Sequence, residues 1–91
     1  MAIYLIERHV PGASMLSPRE LQEISAKSND VVAGLGIPYR WITSYVAGDK
    51  IFCIHETHSP DTICRHGEAG GFPVNVITEV AAVIGPETGR A

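Results

Sequence analysis

A chain of 91 residues, 45% hydrophobic and 19% charged, has the length and composition of one globular domain and leaves no room for a second. Seven basic against ten acidic side chains give a net charge of −3 with no Lys/Arg cluster, which argues against a nucleic-acid partner. The longest apolar runs, such as Val31 to Ile37, fall well short of the roughly 20 residues of a membrane span.

In chain order, the apolar run Ile3 to Arg8 predicts a first strand. Its Glu7 and Arg8 stand where a signal peptide would need its apolar centre, so a cytoplasmic protein with two reduced cysteines is expected. Ser17, Pro18 and Glu20 then combine a capping box with proline at the first helical position. The helix they open carries Leu21, Ile24, Val31, Val32 and Leu35 at helical spacing, and Gly34 and Gly36 stop it. Tyr39 to Val46 is β-branched and aromatic, a second strand, and Ala47-Gly48-Asp49 turns it into a third over Lys50 to Glu56. Ser59, Pro60 and Asp61 repeat the helix-start signal for a second helix that ends at Gly70-Gly71. A fourth strand is predicted over about Val74 to Val83. Residues 1–84 thus form the domain, and residues 85–91 read as a flexible tail.

The order βαββαβ, with right-handed crossovers, predicts an α+β ferredoxin-like fold: an antiparallel four-stranded sheet in order 4-1-3-2 with both helices on one face. Both sheet faces nevertheless read apolar, since Ile3 and Leu5 alternate with Tyr4 and Ile6, and Ile51 and Cys53 with Phe52 and Ile54. A face left to water would be polar at every second position. The uncovered face is therefore expected to meet a second copy, as a homodimer of the dimeric α+β-barrel kind.

Glu7 and His9 are two apart on one strand and point to one face. With His66 from the end of the second helix and Cys53 from the third strand, they are expected to gather near one edge as carboxylate, imidazole and thiolate ligands for Ni2+ or Zn2+. His55, Glu56 and His58 form a weaker grouping, expected at the opposite end of the sheet. Cys53 also reads as a small buried hydrophobe, and Cys64 as inert. Trp41 and Tyr45 are expected to share a face, as dimer core or as a ligand pocket.

The segments IYLIERHVPG, WITSYVAGDKIFCI and SPDTICRHGEAGGFPVNVITEV resemble the DUF4242 family of small bacterial proteins, a Streptomyces member of which is described as nickel-binding. The likeness runs from Ile3 to about Val80 and rests on Glu7, His9, Trp41, Ser44-Tyr45, Asp49-Lys50, Cys53, Ser59, His66, Gly71 and Glu79. It implies a ferredoxin-like fold, a dimer and nickel binding, and it adds Glu79 to Trp41 and Tyr45 as pocket residues. Three functions are in view: binding of a divalent transition metal, a small cofactor-free monooxygenase or isomerase, and a regulatory or interaction module without a ligand.

Overall fold

The structure is a computed structural model describing residues 1–90. It contains, in order, β1 (Ala2–His9), α1 (Pro18–Gly34), β2 (Tyr39–Ala47), β3 (Lys50–Thr57), α2 (Pro60–Gly70) and β4 (Val76–Glu79), with 3-10 turns at Ala13–Met15 and Pro86–Gly89. The sheet runs β2-β3-β1-β4 with every pairing antiparallel, the expected order read from the other edge. No helix among the described residues is long and apolar enough to cross a membrane.

Local chemistry explains the element ends. Ser17 accepts from the Glu20 amide while the Glu20 carboxylate accepts from the Ser17 amide, so the capping box at the start of α1 is complete. At α2, Pro60 occupies the first turn as predicted, but the Ser59 side chain makes no capping bond. Gly71, at φ 72°, takes the left-handed conformation that ends α2, and the Phe72 amide reaches back 2.8 Å to the Gly67 carbonyl. That closure turns Phe72 and Pro73 back towards β1. Gly67 permits this close approach, because a Cβ at this position would lie 2.7 Å from Val74 Cγ2 and 3.0 Å from the Phe72 carbonyl oxygen, so the turn would have to shift.

Two expectations need correction. The fourth strand is Val76–Glu79 rather than 74–83, because its partner runs out: the Val80 amide bonds to Ile3, and β1 begins only at Ala2. Trp41 and Tyr45 do not share a face. Trp41 pairs with His55 but Thr43 pairs with Ile54, so Ile42 is an extra residue, a β-bulge that inverts the alternation. Trp41 therefore shares the helix-covered face with His55, while Tyr45 stands opposite Phe52 on the open face and is 62% exposed.

The covered face holds the core. Tyr4, Ile6, Cys53 and Ile63 are buried together, with Tyr39, Ile51, Val74 and Ile77 packed against them. The same alternation that sends Tyr4 and Ile6 inward also sends Arg8 inward, and on β3 it carries Cys53, His55 and Thr57 to the same side.

Candidate functional site

A pocket of about 200 Å³ lies between the sheet and the helices, with walls that are mostly apolar: Leu21 and Ile24 from α1, Trp41 from β2, and Phe72 after α2. Its polar members come from five elements, Arg8 on β1, Ser25 and Ser28 on α1, Ser44 on β2, His55 on β3 and His66 on α2. Arg8 is only 4% exposed. Its Nε donates to Cys53 Sγ at 3.3 Å and its Nη1 to the Pro73 carbonyl at 2.9 Å, while Phe72 lies under the guanidinium, 5.7 Å away at its ring centroid. No carboxylate pairs with it among the described residues. An interior cation without an anion is costly, since desolvating a charge is repaid only by a partner.

The two histidines meet edge to face, 5.1 Å between centroids. His66 also stacks on Tyr39 and Phe72, and both imidazoles are 1% exposed. Burial, then the charges of His66 and Arg8, lower the pKa of His55 to about 3; burial and then Arg8 lower that of His66 to about 4. Both rings are therefore neutral near pH 7. His55 Nδ1 is hydrogen-bonded to the Tyr39 hydroxyl, and burial raises the Tyr39 pKa, so that hydroxyl keeps its proton. His66 Nε2 lies 3.0 Å from Ser28 Oγ, whereas its Nδ1 is buried with no protein partner.

The four residues expected to form a metal site are split by the sheet. Cys53 and His66 line the pocket on the covered face, while Glu7 and His9 stand on the open face opposite Phe52 and Lys50. Glu7 lies 3.5 Å from Lys50 Nζ, and His9 is exposed. No three His, Cys, Asp or Glu side chains converge on a metal position among the described residues. The donor set of one chain therefore fits at most part of a coordination shell, the Glu7/His9 pair. Of the three expected pocket residues only Trp41 lines the cavity; Glu79 and Tyr45 are exposed. His55, expected at the far end from His66, instead touches it, and Glu56 points to the other face and pairs with Arg40 at 3.0 Å. The His55–His66 contact and the inward Arg8 escape spacing rules, although continuing the alternation Tyr4, Ile6, Arg8 and Cys53, His55, Thr57 would have found both inward positions.

Comparison with known proteins gives the frame. No curated protein matches the chain. Among solved structures, SCO4226 from Streptomyces coelicolor A3(2) is similar in fold, with a TM-score of 0.75 and 19% identity over 91% of this chain and 100% of that one. The profile of the SCO4226-like nickel responsive proteins matches residues 4–80, from the second residue of β1's core face through the end of β4, and the chain belongs to that family.

Proposed function

We propose that this protein takes up a divalent transition ion, Ni2+ or Zn2+, at the Glu7/His9 pair, in a cytoplasmic homodimer whose subunits meet through the open faces of their sheets. The supporting observation is the position of the pair: an exposed imidazole and a carboxylate, two residues apart on one strand, on the side that no helix covers. Membership of a family named for nickel responsiveness supports the choice of ion. Two donors are half of the four that a tetrahedral zinc or tetragonal nickel centre takes from N and O ligands. A symmetric interface doubles every donor it contains, so a second copy can supply the rest. Ile3, Leu5, Phe52 and Ile54 give that interface its apolar area.

Calorimetry with NiCl2 and ZnCl2, paired with light scattering, tests the proposal. Wild type is expected at twice the 9.8 kDa chain mass and to bind either ion, with His9→Ala abolishing uptake and His66→Ala leaving it intact. Loss of binding in His66→Ala but not in His9→Ala would move the site to the covered face. A monomer that binds neither ion would remove both the dimer and the metal.

The alternative is a small enzyme of the dimeric α+β-barrel kind. The pocket favours it, because apolar walls with a few convergent polar groups are the usual form of a small-molecule site. A likeness of fold adds no weight to a particular reaction.

A further inference from the structure

We propose that the covered-face pocket is a binding site for a small apolar monocarboxylate, its carboxylate paired with Arg8 and its hydrocarbon part held between Trp41 and the α1 side chains. Three independent features of the pocket specify that ligand.

The first is the solitary cation. Arg8 makes two hydrogen bonds, to Cys53 Sγ and to the Pro73 carbonyl, and neither partner is a carboxylate. A guanidinium has five N–H donors in a planar fork that matches a carboxylate, so most of its capacity is left for an occupant. Arg8 is held in place whether or not the pocket is filled: Pro73 fixes Nη1, and the close approach of Gly67 to Val74 and the Phe72 carbonyl fixes the turn that carries Pro73.

The second is the orphaned nitrogen. In the tautomer with its proton on Nδ1, His66 accepts from the Ser28 hydroxyl through Nε2, and Nδ1–H is a buried donor without an acceptor. Buried polar atoms are nearly always satisfied, and His66 lines the pocket: in that tautomer an occupant that accepts a hydrogen bond answers Nδ1, whereas in the other Nε2 donates to Ser28 and Nδ1 is itself the unpaired acceptor. A carboxylate oxygen supplies that acceptor, as an amide or ether oxygen would, but only an anion also answers Arg8.

The third is size and lining. About 200 Å³ is smaller than the roughly 300–1,000 Å³ of clefts that take drug-sized ligands, so the occupant is compact. Leu21, Ile24, Trp41 and Phe72 offer it apolar surface, while no acidic side chain lines the pocket to repel an anion. The site faces away from Glu7 and His9, across the sheet, so it stands whether or not a metal binds there.

The test is an amide NMR titration of the wild-type protein with benzoate and hexanoate, each beside its neutral amide, and with inorganic phosphate. The acids are expected to shift signals of Arg8, Ser28, Trp41 and Phe72 and to bind at least tenfold more tightly than the amides, with phosphate weak. Arg8→Gln should erase the preference for acid over amide. Should that variant fail to fold, Ser25→Phe, which places a ring in the pocket and leaves Arg8 in place, should abolish acid binding. Equal binding of acid and amide, phosphate binding as tight as that of the acids, shifts confined to the Glu7/His9 rim, or no shift at about millimolar ligand would each overturn the assignment.

Discussion

The two faces of the sheet are built from alternate residues of the same strands, yet their characters are inverted. The covered face, which should be the drier one, contains Arg8, His55, His66 and Thr57 beside Tyr4, Ile6 and Ile63. The open face carries Ile3, Leu5, Phe52 and Ile54 at half burial, with Tyr45 and Val76 exposed. A sheet selected only for stability would keep Tyr4 and Ile6 inside and replace the buried Arg8 and His55 by apolar residues. The polar groups gathered inside carry the proposed ligand pocket, and the apolar groups left outside carry the proposed dimer.

Four experiments break or sharpen this contrast. The largest effect is expected from Ile6→Ala on the covered face. Ile6 is fully buried between Cys53 and Ile77, and its truncation should cost about 2–5 kcal/mol, which in a domain of this size lowers Tm by more than about 10 °C. Thermal unfolding reads it directly, and a Tm within a few degrees of wild type would mean that the core has collapsed around the gap.

Acid comes next. Both His55 and His66 have folded-state pKa values, about 3 and about 4, below the ordinary 6.5 of an unfolded histidine. Between those limits the unfolded chain binds more protons than the folded one, so stability is full above about pH 6.5 and declines as pH falls towards 4. Each histidine contributes up to about 1.4 kcal/mol per pH unit in that window, less for the two together because they are in contact. Urea unfolding at pH 7.5 and pH 5 should show the loss, and His66→Gln should flatten part of the slope; a flat profile in wild type would mean that the imidazoles are solvated.

On the open face, Leu5→Ala discriminates between a lone chain and a dimer. Half-buried in one subunit, Leu5 is worth about 1 kcal/mol, but more than about 2 kcal/mol where a second copy covers it. The dimeric case adds a Tm that rises with protein concentration in wild type and less steeply in the variant. The smallest effect belongs to Arg40→Ala. Its ion pair with Glu56 at 3.0 Å is solvent-exposed on the Arg40 side, and its loss should change stability by no more than about 1 kcal/mol and vanish in high salt.

The order of the elements, the antiparallel sheet and the capped start of α1 were legible in the sequence because each depends on local signals: alternation, a Ser-Pro-x-Glu start, a two-glycine stop. Cys53 as a buried strand residue was legible for the same reason, and it is buried. The site was less so. A single inserted residue at Ile42 reverses which of Trp41 and Tyr45 faces the helices, and no composition rule marks a bulge whose residue is an ordinary strand former. The end of β4 depends on where β1 starts, a pairing fact rather than a propensity. The alternation gives Arg8 its inward face, but its partners Pro73 and Cys53, 65 and 45 residues away in the chain, are brought to it only by the fold. His66, read as a metal ligand at the sheet edge beside Glu7 and His9, is instead enclosed on the covered face against His55, Tyr39 and Phe72.

The isolation of Arg8 also makes the pocket selective by valence. With both histidines neutral near pH 7, the cavity offers one unit of positive charge and no more. An occupant carrying two negative charges would leave one of them without a countercharge in the pocket, whereas a monoanion is matched one to one by Arg8. Discrimination between a monocarboxylate and a dicarboxylate of the same length is thus built into the charge count of the cavity, independent of how closely its walls fit.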